Sequence, residues 1–233
     1  PLPAALMRLF PILVERELRP RSVTRDAVRG DPRVFPVTDD DKRAWRDRTR
    51  AARRGLDDGY RVDASEALSH AVGTLASRLR DCGDRALAAY VPIGREPGST
   101  AMLDAAMRAG VTVLLPIAGD PGPMSWAHYT GPDSLVPARH GLLEPSGPVL
   151  PPDTIGDAAV ILVPALAVDR RGGRLGRGAG FYDRTLHLAA PDAWLVGVVY
   201  DDDLVDRLPT EGHDVRMTHV LTPGGGLRPL PLE

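Results

Sequence analysis

The chain reads as an α/β protein: a mainly parallel open sheet with helices on both faces and a small antiparallel flap. Three observations predict this. Four short apolar runs, Ala86–Pro92, Val111–Pro116, Ala158–Pro164 and Ala193–Tyr200, have the length and content of buried strands. Stretches of helical periodicity alternate with them, as crossover helices alternate with parallel strands. Between the second and third runs, residues 117–157 are rich in proline and glycine and favour short strands over helices.

The 233 residues are enough for one sizeable core, and 43% hydrophobic with 26% charged residues suits a globular chain. A formal net charge of −2 gives no global attraction to nucleic acid or anionic lipid, so any anion affinity must be local. Cys82 is the single cysteine, which excludes an intrachain disulfide and suits a reducing cytoplasm. No apolar run approaches the roughly 18 residues of a membrane span. Residues 1–36 are expected to be a poorly ordered extension: their apolar part is broken by Pro3 and Pro11 and lacks the basic start and cleavage site of a signal peptide. Residues 37–233 are expected to form one domain, acting as a monomer.

Asp39, Asp40 and Asp41 precede a helical pattern from Lys42 to Arg54, and acids favour the positive end of a helix. Lys42, Arg46 and Arg50 recur at i, i+4 on one flank. That flank is either a solvated face or a phosphate-binding one; with Trp45 as its one aromatic it makes a poor nucleic-acid groove. Asp63 and Glu66 resemble a capping box for a helix with Leu68, Ala71, Val72, Leu75 and Leu79 facing a core. After the first strand run, Ser99 or Thr100 should cap a helix ended by Gly110. Glu96 precedes that helix, at a strand's carboxyl end, where open α/β sheets carry their binding loops. Strand-like pieces follow at Met124–Tyr129 and Ser134–Val136, with a tight connection at Gly141–Pro145. Ala165–Val168 should prolong the third run. A helix from Phe181 to Ala189, a short helix opened by Asp201, Asp202 and Asp203, and a strand at Arg216–Leu221 complete the pattern.

The most informative stretch runs from Asp169 to Asp183. Gly172, Gly173, Gly176, Gly178 and Gly180 alternate with Arg170, Arg171, Arg174 and Arg177. Glycine lets backbone N–H groups approach a ligand, and arginine supplies planar donors for phosphate or carboxylate. The run lacks the lysine of a P-loop and the glycine spacing of a dinucleotide fingerprint, although Asp201 follows the next strand run as an acidic ribose ligand would. No nucleophile elbow, HExxH or cysteine-rich metal spacing occurs.

Arg174-Leu175-Gly176-Arg177-Gly178-Ala179-Gly180-Phe181-Tyr182-Asp183 resembles the arginine-leucine-glycine signature of the 5-formyltetrahydrofolate cyclo-ligase family. Lys42-Arg43-Ala44-Trp45-Arg46 looks like that family's N-terminal lysine-x-x-x-arginine. Glu96 with Thr100 looks like its glutamate–threonine loop, and Gly141 to Pro145 like its glycine-x-x-glutamate-proline turn. The motifs keep their order from about Asp39 to Pro223. The resemblance implies an ATP- and Mg²⁺-dependent closure of 5-formyltetrahydrofolate to 5,10-methenyltetrahydrofolate, with release of ADP and phosphate. It implies ATP contacts from Lys42, Arg43, Ala44, Trp45 and Arg46, and from Arg174, Leu175, Gly176, Arg177, Gly178, Ala179, Gly180, Phe181 and Tyr182. It implies folate contacts from Val91, Glu96, Arg177, Gly178, Ala179, Gly180 and Phe181, a catalytic role for Arg177 and a Mg²⁺ ligand in Asp183. Three positions depart from the family pattern. Phe181 stands where tyrosine is common, keeping the ring and losing a hydroxyl. His140 stands where many members have tryptophan. Thr218 stands where a second acidic metal ligand is expected, and Asp214, four residues earlier, reads as structural. A non-catalytic folate- or nucleotide-binding protein of the same fold is the alternative; turnover of 5-formyltetrahydrofolate with ATP separates the two.

Overall fold

The computed structural model describes residues 39–83, 86–119, 122–138, 141–211 and 214–232. The expectations for residues 1–36 and for His140 lie outside these residues. Two helices, α1 (Asp39–Arg54) and α2 (Asp58–Asp81), lead into β1 (Ala86–Ala88), followed by α3 (Thr100–Arg108) and β2 (Val113–Ile117). The proline- and glycine-rich region supplies β3 (Ser125–His128), β4 (Leu135–Pro137) and β5 (Leu143–Pro145). Beyond it come β6 (Ala158–Pro164), β7 (Ala167–Asp169), β8 (Arg174–Leu175), α4 (Phe181–Thr185), β9 (Trp194–Val198), β10 (Leu204–Val205), β11 (His219–Thr222) and β12 (Gly226–Pro229).

The main sheet has seven strands in the order β12-β11-β9-β6-β1-β2-β3. The five inner strands are parallel and the two edges antiparallel. Alternation along the pleat sends Leu87 to one face and Ala88 to the other. On the first face, Leu68, Val72 and Leu75 of α2 and Met102 and Leu103 of α3 pack on Leu87, Leu115 and Leu162. On the second, Leu114, Ile161 and Val163 meet Ile155, Phe181, Tyr182 and Leu186. Helices therefore cover both faces, and β4 pairs with β5 as the small antiparallel flap.

Local signals placed some elements differently. The helix expected from Asp63 begins at Asp58, where the Asp57 carboxylate accepts the Tyr60 N–H at 3.0 Å. The extra turn is held by tertiary contacts that the capping pattern does not contain: Tyr60 sits against Tyr200, ring centres 5.9 Å apart, and Arg61 donates to the Gly94 carbonyl. Ser99 occupies the cap position of α3 but makes no side-chain cap hydrogen bond. Residues 167–169 do not prolong β6; they form β7, which pairs with β8 and β10 in a separate sheet. The acidic run at 201–203 opens only a single 3₁₀ turn. Asp201 instead accepts hydrogen bonds from Thr222 and from the Gly224 and Gly225 N–H groups, fixing the β11–β12 turn. Asp203 receives the buried Arg53 guanidinium at 2.8 Å. The edge strand β12 carries no apolar alternation of its own and was not expected.

His219, on β11, is 7% exposed and stacks on Trp194 with ring centres 4.2 Å apart. Burial lowers its pKa from 6.5 to about 4. The folded value is below the unfolded one, so its contribution to stability is present above pH 6.5 and is lost as pH falls through the folded value. The loss by pH 4 should be about 3 kcal/mol. Urea unfolding of wild type and His219→Phe at pH 7 and pH 4 checks this: the variant keeps the aromatic stack and should lose less stability to acid. Equal losses would refute it.

Candidate active site

A cavity of about 510 Å³ opens at the carboxyl ends of β1, β2 and β6. The chain runs β1-β2-β3 to one side, then returns to place β6 on the other side of β1. The crevice left where strand order reverses is the usual ligand site of open α/β sheets. Tyr90 and Val91 enter from β1, Pro116 and Ala118 from β2, and Pro164 from β6. Leu142, Leu143 and Glu144 on the flap close one wall. Glu144 anchors that wall by accepting the Ala118 N–H at 3.0 Å.

The glycine–arginine loop forms the opposite wall. Its base is set by Asp169, 2% exposed, whose carboxylate accepts the N–H groups of Arg171, Gly173 and Leu208. Every residue from Arg174 to Asp183 lines the cavity. Gly178 has φ +105°, a conformation that side chains with a Cβ rarely adopt. Arg174 is held by Asp183, Nη2 to Oδ1 at 2.7 Å. Its Nε and the Tyr182 hydroxyl are buried polar atoms with no hydrogen-bond partner among the described residues. Unpaired buried donors beside a cavity suit a polar ligand. Burial, reinforced by the charge of Glu96, pushes the Tyr182 phenol well above its usual value, so it stays protonated and able to donate.

Glu96 sits across the cavity on the loop after β1. Its Oε2 accepts the Ile93 N–H at 3.0 Å and its Oε1 receives Arg177 Nη1 at 3.3 Å. Burial raises its pKa above the ordinary glutamate value, although the Ile93 N–H and Arg177 oppose the shift. The loop is pinned from several sides: Arg95 donates to the carbonyls of Arg53 and Leu56, and the Tyr90 hydroxyl to that of Pro97.

Helix α1 delivers the third set. Lys42 and Arg46, one turn apart, both reach the cavity. Lys42 is 8% exposed, with Nζ 2.9 Å from Asp214 Oδ2 and 3.3 Å from Glu211 Oε1. Burial alone would lower its pKa; the hydrogen bonds and charges of those carboxylates outweigh that and raise it. Arg46 Nε donates to the Gly176 carbonyl at 3.2 Å.

The cavity thus gathers Lys42, Arg46, Val91, Glu96 and the loop from Arg174 to Asp183. Arg43, Ala44 and Trp45 do not line it. Helical rotation turns Arg43 and Ala44 to solvent, and Trp45 packs beside Leu166 and Leu175 with Arg48 3.7 Å over its ring. Thr218 does not line it either; its hydroxyl accepts the Leu195 N–H at 2.9 Å. Asp214 does, so its structural reading is incomplete. Tyr90, Glu144 and Glu211 also line the cavity and had not been singled out as site residues.

Comparison with known proteins gives the family. Residues 38–223 match the model of the 5-formyltetrahydrofolate cyclo-ligase family. The chain belongs to that family. A cyclo-ligase of Mycolicibacterium smegmatis is 54% identical over 180 residues, covering 75% of this chain and 90% of that protein. The Escherichia coli cyclo-ligase is 32% identical over 143 residues, 59% of this chain and 77% of that one. Among solved structures, the 5,10-methenyltetrahydrofolate synthetase of Aquifex aeolicus superposes with a TM-score of 0.65 at 26% identity, covering 82% of this chain and 94% of that one. As a cyclo-ligase the chain is an enzyme of folate one-carbon metabolism that uses ATP. No helix among the described residues is long and apolar enough to cross a membrane.

Proposed function

We propose that this cavity is where ATP and 5-formyltetrahydrofolate meet and that its residues carry the cyclo-ligase reaction. The observation that carries the reading is the 3.3 Å contact between Arg177 and Glu96. It brings the loop suited to phosphate within one hydrogen bond of the carboxylate suited to a pterin. In the reaction the 5-formyl oxygen takes the γ-phosphoryl group and ADP leaves. N10 then attacks the activated formyl carbon and gives up its proton to solvent, the C–O bond breaks, and phosphate departs to give the methenyl bridge.

Phosphoryl transfer needs positioning and charge neutralisation more than a protein nucleophile. Lys42 and Arg46 neutralise the nucleotide phosphates, and the glycine loop presents backbone N–H groups to them. Arg177 neutralises charge on the transferring group. The Glu96 carboxylate accepts pterin N–H donors, and Phe181 and Val91 supply apolar contact. Mg²⁺ would fit beside Asp183, which lines the cavity, since it binds through one or two carboxylates together with substrate phosphates; it would supply further charge neutralisation. Among the described residues no group of three or more His, Cys, Asp or Glu could hold a metal ion by itself. The reading takes the chain as a monomer working in the cytoplasm on small molecules, without nucleic acid.

Incubating the purified protein with 5-formyltetrahydrofolate, ATP and Mg²⁺ tests it, since the methenyl product absorbs in the near ultraviolet. Absence of ATP-dependent product would overturn it. Asp183→Asn should raise the Mg²⁺ concentration for half-maximal activity roughly tenfold, and should weaken Mg²⁺ binding to the ATP complex in calorimetry. Unchanged metal titrations would remove Asp183 from the ligand set.

A further inference from the structure

We infer that Arg50 and Arg184, neither of which lines the cavity, are positioning residues that aim the glycine loop's N–H groups at the nucleotide. The inference rests on the nucleotide reading of that loop. Arg50 Nη2 donates to the Arg177 carbonyl at 3.3 Å, from α1. Arg184 Nη2 donates to the Ala179 carbonyl at 3.1 Å, from α4, while its Nε holds the Gly122 carbonyl at 3.1 Å. The peptide bonds after Arg177 and Ala179 are trans. A trans peptide sets its C=O and the following N–H on opposite sides of the chain. The carbonyls are drawn outward to two arginines that stand outside the cavity, so the N–H groups of Gly178 and Gly180 turn the other way. Both glycines line the cavity, and among the described residues neither N–H has a protein acceptor.

Glycine makes this grip necessary. Gly178 and Gly180, at φ +105° and +69°, have many backbone conformations open to them, and only some present the N–H inward. Two external guanidinium groups select the inward-facing set before nucleotide arrives. Arg46 does the same for the Gly176 carbonyl but also reaches the cavity itself, so its loss would mix two effects. Arg50 and Arg184 separate positioning from contact. On the basic flank of α1, Lys42 and Arg46 reach the cavity directly, and Arg50, one turn further on, acts through the loop.

Calorimetric affinities for ADP and for 5-formyltetrahydrofolate, with thermal melting, test this on Arg50→Met, Arg184→Met, Arg184→Lys and Gly178→Ala. Loss of one oriented loop N–H should weaken ADP binding about five- to tenfold in each methionine variant. Folate affinity should fall less than ADP affinity, and the melting temperature should not move. Arg184→Lys keeps one donor for the Ala179 carbonyl and should recover most of the ADP affinity. Wild-type ADP affinity in both methionine variants would overturn the inference, as would ADP affinity, folate affinity and melting temperature falling together. Gly178→Ala strains the loop directly. If it too leaves ADP affinity intact, the loop is not the nucleotide site and the functional assignment fails with it. If only Gly178→Ala weakens binding, the assignment stands and the positioning roles do not.

Discussion

Arg177→Ala should lower kcat by about 10²–10³-fold while leaving KM for ATP near its wild-type value. The side chain is 55% exposed, so the fold does not depend on it. Its guanidinium touches only the Glu96 side of the cavity in the absence of substrate, and its charge matters most when a phosphoryl group is in transit. A kcat within threefold of wild type, measured at saturating substrates, would exclude that role. The substitution has a second consequence. Glu96 is 10% exposed and would lose the cation that opposes its desolvation. Its pKa should rise further, and the acid limb of folate binding should move to higher pH than in wild type.

Glu96→Gln should raise KM for 5-formyltetrahydrofolate by about 10–100-fold, the usual worth of hydrogen bonds to a charged acceptor, with a smaller effect on KM for ATP. Its stability effect runs the other way. The folded pKa of Glu96 lies above the unfolded value because burial disfavours the carboxylate. A raised folded pKa contributes stability that is full below the unfolded pKa and is lost as pH rises through the folded one. At pH 7 the glutamine variant, which has no charge to bury, should be at least as stable as wild type. The difference should shrink as pH falls through the folded value and be largely gone by about pH 4, where glutamate is mostly neutral in both states. Melting curves at pH 4 and pH 7 check the sign; a variant less stable at pH 7 than at pH 4, relative to wild type, would contradict it.

Much of this site was legible in the residues themselves. Gly178 and Gly180 alternated with arginines, Lys42 and Arg46 shared a helix flank, and Glu96 followed a strand; the fold brings all of them to one cavity. Each is a local pattern, and the resemblance to known motifs joined them. What stayed hidden depends on the fold. Asp214 comes to Lys42 across 172 residues of sequence, and no local spacing encodes that contact. Asp201 and its neighbours looked like a helix start because acids favour helix N-termini; the fold uses Asp201 for a glycine turn and Asp203 for Arg53 instead. Trp45, Arg43 and Ala44, from the same motif as Lys42 and Arg46, lie outside the cavity lining because a helix turns successive residues to different surroundings. The strand β12 has too little apolar content to be read without its partner β11.

The long reach from Lys42 to Asp214 also bears on the order in which the site comes into being. The centre of the sheet, β1 with β2 and β6, is contained in residues 86–164 and can close while synthesis is still under way. The carboxylates that grip Lys42 are made far later, and Met217 then docks on Gly172 through its N–H. A nascent chain that ends after β9 has the strands that frame the crevice but not the acids that hold α1, so the cavity is completed by the arrival of the carboxyl-terminal segment rather than by the formation of the sheet.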